Sequence, residues 1–388
     1  MSLAVSRGIR HLPIAAAGLT FVGMGAANGA RVAMVLLLLK QGMGPTMVGA
    51  LLATFSAMSV FFSIPMGRAV DRWGIRVPLL LSLAAICSGA AILAAAPGVE
   101  LAYVTAVLVG GGSIGVTICL TNAVGWIQDS NVRTRAFAVY TMGVSGSNAL
   151  GPMVAGVAIE AFGFPKAFSL ICVTGLCSLL LLRVFWKSFP AAHEIPRRTH
   201  SKHLFELLSD RKLVPLYVAS ILNTMMWDSY QFIAPIWATH VGLSASTIGL
   251  VLGTFSTATL IIRVVMPLLS PHFTEWSLIA ATTFLGGCGF ALLPFASGAW
   301  SMAFVSCILG AGFGFGYPMI LAVSFSLSPT GHEAEVTGVR SALSSTVRLV
   351  APLVFGALAS LFTVGSISCG IAALMFTGSM HARRQTSQ

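Results

Sequence analysis

Gly67-Arg68-Ala69-Val70-Asp71-Arg72-Trp73-Gly74-Ile75-Arg76 separates two long apolar runs and is the stretch from which the rest of the chain is best read. Glycines at 67 and 74 permit a tight helix-loop-helix link, and an aspartate among basic residues can pair with them or with a neighbouring helix end. The runs on either side, at about 46–66 and 77–97, are long enough to cross a bilayer as helices. The pattern continues along the chain. Hydrophobic residues make up 56% of the 388 and charged residues only 9%, with a mean hydropathy of +0.89. Soluble chains average about 25% charged residues, so this composition calls for a lipid solvent. Apolar runs of about twenty residues, without ten-residue alternation, indicate helices and exclude an outer-membrane barrel.

Twelve spans fit, at approximately 12–39, 46–66, 77–97, 101–127, 136–160, 165–186, 213–239, 246–270, 277–297, 299–327, 336–360 and 364–380. The first follows Arg7 and Arg10, is too long for a signal peptide and ends in no cleavage-like site, so it is expected to be retained. Connections are short except 187–212, which is polar, carries two prolines and mixes both charge signs. The expected organisation is an N-terminal six-helix half (1–186), a cytoplasmic linker (187–212) and a C-terminal six-helix half (213–388). Of the 22 Lys and Arg residues, sixteen fall on the side of the N-terminus and two, Lys40 and Lys166, on the opposite side. Arg31, Arg263, Arg340 and Arg348 lie within spans. The positive-inside rule then puts both termini in the cytoplasm. It also explains most of the +11 net charge, so nucleic acid is not an expected partner. The seven cysteines all fall within apolar runs and read as small helix fillers, with no disulfide or metal site expected.

Shifting the chain by 200 residues superimposes its halves almost without gaps. Gly42 meets Gly242, Gly49 meets Gly249, and Thr54-Phe55-Ser56 meets Thr254-Phe255-Ser256. Gly89, Gly110 and Gly112 meet Gly289, Gly310 and Gly312; Pro152 and Gly156 meet Pro352 and Gly356. Two parallel six-span repeats imply a pseudo-two-fold axis along the membrane normal and a site at the midplane.

The 67–76 stretch resembles the loop signature Gly-x-x-x-Asp-Arg-x-Gly-x-Arg of the major facilitator superfamily, and it follows span two of twelve on the cytoplasmic side, as that family requires. The second half has no good copy, with Pro267 and Pro271 where Gly67 and Asp71 would repeat. Span five, with Gly143, Gly146, Gly151-Pro152 and Gly156, looks like the Gly-Pro motif of family members that act as antiporters, usually exporters. Glycines allow close helix approach and proline bends the helix by removing a donor. Ala155 stands where a second glycine would be expected. Span four carries Gly110-Gly111-Gly112 and Gly115, but Ala106 occupies the place of the membrane arginine seen in many proton-driven relatives, and no Gly-Lys-Ser/Thr follows for a phosphate. The resemblance covers about residues 10–382. It implies an all-α membrane fold of twelve transmembrane helices in two pseudo-symmetric halves, in the bacterial inner membrane, working by alternating access. It further implies a conformational gating loop at Gly67, Asp71, Arg72, Gly74 and Arg76, and a helix-bend motif at Gly143, Gly151, Pro152 and Gly156.

Of the eleven acidic residues only Asp228 falls deep inside a span. An ionised carboxylate there costs roughly 2.5–3.5 kcal/mol even on the lenient insertion scale. Asn28 and Arg31 share a face of span one, and the repeat places them on Asp228 and Gln231 of span seven; Asn148 falls on Arg348. Carried over from the family's cavity-lining spans, Asn28, Arg31, Asn148, Gln231, Arg263 and Arg348 are the expected substrate-binding residues, and Asp228 the proton-coupling residue. Trp227 and Tyr230 join the expected substrate-binding set as rings that can stack on a substrate, with helix packing or an interface anchor as the alternative for each. Asp228 could instead form a permanent pair with Arg31 or Arg263 that only fixes helix register. One carboxylate does not neutralise three arginines, however, and a surplus of positive charge in low dielectric calls for an anion. The expected activity is export of a small organic anion or zwitterion, driven by the proton gradient without a cofactor or metal, by a monomer that is not an enzyme. A broad-specificity drug/proton antiporter is the alternative within the class. A non-transporting membrane sensor or intramembrane enzyme is the alternative outside it, and no zinc motif, buried Ser/His set or extramembrane domain supports that reading.

Overall fold

A computed structural model describes residues 3–125, 127, 130–189, 210, 212–269, 273–328 and 333–386, and its elements are helices. The 187–212 linker lies largely outside the described residues, as do His193, His200 and His203. In chain order the helices are α1 (Leu3–Leu19), joined through a π-helical turn at Thr20–Met24 to α2 (Gly25–Lys40), then α3 (Pro45–Trp73), α4 (Arg76–Ala95), α5 (Val99–Gly125) and α6 (Ser130–Val184). After the linker come α7 (Val214–His240), α8 (Ala245–Leu269), α9 (Glu275–Leu292), α10 (Ala299–Leu327), α11 (Glu333–Leu361) and α12 (Val364–Thr386). Most are apolar around their whole circumference, which suits helices that meet protein on one side and lipid on the other.

Ten stretches among the described residues are long and apolar enough to cross a membrane. One of them, Arg135–Val184, is broken at Gly163, whose φ of 78° no helix tolerates, so it holds two spans. α7 is not among the ten. Its Asn223, Thr224, Asp228 and Gln231 depress its hydropathy, although at 27 residues it is long enough to span. The helices are thus consistent with twelve spans.

The chain packs as two compact units. The first comprises Met1–Gly42, Thr54–Arg198 and Ser244–Gly253; the second comprises Met43–Ala53, Thr199–Leu243 and Thr254–Gln388. Within the first, α1 and α2 pack on α6, and α4 lies between α5 and α6. Within the second, α9 packs on α10 and α12, and α7 on α11 and α10. A short segment from each half of the sequence is therefore counted in the unit built mainly from the other half.

The repeat recurs in the packing. In the first unit a Cβ on Gly249 would stand 2.5 Å from the Pro152 carbonyl oxygen and 3.2 Å from Gly156 Cα. In the second unit a Cβ on Gly49 would stand 2.5 Å from the Pro352 carbonyl oxygen and 3.0 Å from Gly356 Cα. Each is the same backbone-to-backbone crossing made by repeat-related residues. Gly110 likewise admits the backbone of Phe55, and Gly310 that of Phe255. Along α6, Gly143 abuts Ala17 and Gly151 abuts Gly25. Without a driving force from water, such close approach is how membrane helices gain packing energy. Gly151→Leu should therefore destabilise the first unit by about 1–3 kcal/mol or more through overpacking. Thermal unfolding in lipid nanodiscs reads the loss, and Gly67→Ala serves as control because a Cβ at Gly67 meets nothing within 4 Å.

The 67–76 link is made differently from the expectation. Gly67 lies inside α3, and Gly74 alone takes a left-handed φ, 75°, to turn the chain. Arg76 then donates from Nε to the Phe189 carbonyl oxygen at 2.9 Å and lies over the Trp186 ring, tying the start of α4 to the short segment that follows α6. Arg72 sits in the last turn of α3, where the helix dipole favours a cation. The side chain of Asp71 lies outside the described residues.

Candidate functional site

The polar side chains expected to bind substrate form two clusters, one in each unit. In the first unit, Gly29 and Gly151 let α2 and α6 approach until backbone meets backbone. That brings Asn28 and Asn148 together, with Asn28 Nδ2 donating to Asn148 Oδ1 at 2.8 Å. One turn further along α2, the Arg31 guanidinium lies over the Phe55 ring, 5.3 Å from its centroid.

In the second unit, Asp228 on α7 meets Arg348 on α11, with Nε 4.0 Å from Oδ2. The Asp228 side chain is 4% exposed and that of Arg348 55%, so the acid is sealed in the helix packing while the guanidinium stays accessible. The repeat gives this contact its meaning. Asn28 corresponds to Asp228 and Asn148 to Arg348, so the same helix–helix contact is a neutral hydrogen bond in one unit and a charged pair in the other. A pair of asparagines satisfies the fold at this position. Charge at the second copy is therefore a departure that packing does not require.

Beside Asp228 lies an aromatic cluster that sequence reading identified only in part. Trp227 contacts Phe255 (centroids 5.4 Å) and Phe313 (5.0 Å), and Phe255 contacts Phe313 (5.8 Å). Tyr230 stacks on Phe255 at 4.3 Å, is fully buried and donates its hydroxyl to Ser306 Oγ at 2.9 Å. Tyr230 and Phe255 are buried, whereas Trp227 and Phe313 are half-buried. Arg263 on α8 places its guanidinium 5.9 Å from the Phe313 ring centroid, and its buried Nε has no hydrogen-bond partner among the described residues. Gln231 is half-buried one turn beyond Asp228. Arg340, two turns before Arg348 on α11, lies over Tyr317 at 5.6 Å. Phe55, Phe255 and Phe313 were not singled out in the sequence as site residues. The Thr-Phe-Ser repeat at 54–56 and 254–256 was the available signal for the first two.

The arrangement offers guanidinium groups, one buried carboxylate and a stack of rings, with no cluster of three or more His, Cys, Asp or Glu for a metal among the described residues. Such a set suits recognition of a charged, partly aromatic or apolar small molecule. Residues 16–352 match the family described as Major Facilitator Superfamily. The chain is a member of that superfamily. It is a multi-pass membrane transporter. Among its relatives are the class G tetracycline resistance protein of Vibrio anguillarum, 26% identical over 324 residues and 80% of each chain, and the class C tetracycline resistance protein of Escherichia coli, 27% identical over 320 residues, 80% of this chain and 79% of the other. The superfamily fold is also seen in solved structures. A POT family transporter in complex with a thioalcohol-conjugated peptide aligns over 96% of this chain and 95% of its own, with a TM-score of 0.81 at 13% identity. A bacterial homologue of the human lysosomal transporter Spinster aligns over 98% and 94%, with a TM-score of 0.70 at 12% identity. At these identities the solved structures speak for the fold alone.

Proposed function

We propose that this transporter exports a small amphiphilic zwitterion in exchange for protons, with Asp228 as the exchanging group. The observation that carries the reading is the contrast between Asn28–Asn148 and Asp228–Arg348 at equivalent repeat positions. In this reading Arg348, Arg31 and Arg263 receive the substrate's anionic group, with Asn28, Asn148 and Gln231 as hydrogen-bonding partners and the Trp227 ring against its apolar part. Tyr230 supports that ring through Phe255. The loop Gly67–Arg76 and the α6 glycines serve the alternation of access, and a monomer in the bacterial inner membrane with both termini cytoplasmic is the working unit.

Of the two substrate classes expected from the charge balance, the zwitterion fits antiport. An anion that draws Arg348 away favours the neutral acid at Asp228 and so brings a proton with it. An amine that meets Asp228 favours the carboxylate and displaces the proton. The names of the tetracycline resistance relatives support export, and with the aromatic cluster they favour a second reading, a broad drug/proton antiporter. Arg31→Ala and Arg348→Ala separate the two. On the zwitterion reading both variants lose transport of amino-acid-like or carboxylate substrates in proteoliposomes. Undiminished export of cationic dyes by both variants, with no transport of zwitterions or anions by the native chain, would establish the drug reading instead.

A further inference from the structure

Cys87 on α4 and Cys172 on α6 place their sulfurs 3.6 Å apart, and Cys87 Sγ lies 3.6 Å from the Cys172 carbonyl oxygen. Both belong to the first unit, so the approach is internal to one packed body. Gly175 draws the helices together: a Cβ there would stand 3.2 Å from both Cα and Cβ of Cys87. The repeat tests whether these thiols are mere fillers. The positions 200 residues on are Gly287 and Ala372, so α9 and α12, which also pack together, need no sulfur at the corresponding place. Access is from the lipid side. Cys172 is half-buried, and its neighbours Val173 and Leu176 are 51% and 48% exposed.

Two thiols at this spacing suit one bridging soft atom. At the usual zinc–thiolate length of about 2.3 Å, a tetrahedral centre spans sulfurs ~3.8 Å apart, and thiols select soft partners. Tetrahedral zinc would require two further ligands, and no group of three or more His, Cys, Asp or Glu is placed for a metal among the described residues. A three-coordinate centre that brings its own third substituent needs only the two sulfurs. We infer that Cys87 and Cys172 form a dithiol site for neutral, lipid-soluble trivalent organoarsenicals. Two As–S bonds form and two As–OH bonds break. Each thiol proton leaves with a hydroxide as water, and no electrons are exchanged. The organic group remains directed to the lipid, and the bridge ties α4 to α6.

The test uses the full chain in nanodiscs with the other five cysteines replaced by alanine, treated with phenylarsine oxide and weighed intact. One phenylarsenic group per chain is expected, resistant to excess 2-mercaptoethanol and released by 2,3-dimercaptopropanol. Further replacement Cys87→Ala or Cys172→Ala should abolish that resistance. Removal of the adduct by the monothiol, or equal retention in the single-cysteine variants, would overturn the assignment. The same comparison between the native chain and its Cys87→Ala variant decides the matter if the five-fold replacement does not fold.

Discussion

Replacing Asp228 with asparagine is expected to leave a folded protein that no longer converts a pH gradient into transport. The first unit already carries this side chain at the equivalent place, where Asn28 pairs with Asn148. Asparagine has nearly the shape of aspartate, so the buried site, 3% exposed, should accept it without a cavity. It removes the group that alternates between acid and carboxylate. In proteoliposomes, gradient-driven transport by Asp228→Asn should fall to the level of protein-free vesicles, while exchange of labelled for unlabelled substrate without a gradient persists. Loss of both would mean the variant fails to bind or fold. Retention of gradient-driven transport would mean that coupling lies elsewhere.

The second large effect concerns Arg348. Removing one partner of a fully buried ion pair costs about 3–5 kcal/mol, because the remaining charge loses its compensation. The Arg348 side chain is 55% exposed, so solvent screening should reduce the loss for Arg348→Asn to about 1–3 kcal/mol. Adding Asp228→Asn copies the first unit's asparagine pair into the second and should recover most of that loss. The double variant then separates fold from function, being as stable as the native chain yet inactive in gradient-driven transport. Thermal unfolding in nanodiscs measures the cycle. Additive losses in the two single variants would show that the pair does not act as a unit.

Much of the architecture can be read from particular residues. Several of the glycines and prolines that align at an offset of 200 are used at helix crossings, as at Gly49 with Gly356 and Gly249 with Gly156, while Gly42 and Gly242 instead take the left-handed φ of a turn. Small residues are legible because a membrane helix can approach another closely only where side chains are missing. The turn at 67–76 was half legible: Gly74 makes it, whereas Gly67 is one more helical residue. Pattern alone did not show that a residue inside a helix was needed there.

The polar residues of the site stood out because charge is expensive in an apolar run, which is how Asp228, Arg31, Arg263 and Arg348 were found. Which arginine meets Asp228 was not legible, since that depends on the register of α7 against α11. Nor was Phe313, because an aromatic ring in an apolar run looks like any other filler; Phe55 and Phe255 were marked only by the Thr-Phe-Ser repeat. The approach of Cys87 to Cys172 escaped notice for the same reason. It depends on Gly175, a contact between helices far apart in sequence.

The central claim is that substrate and proton compete at the Asp228–Arg348 pair. It is tested most directly by proton release from purified protein in weakly buffered solution, followed with a pH indicator dye. The added ligand is the one that most raises the melting temperature in a screen of amino acids, organic acids, chelators and dyes. The native chain is predicted to release protons on binding it, and Asp228→Asn to bind it with no release. Equal proton release by Asp228→Asn would contradict the account.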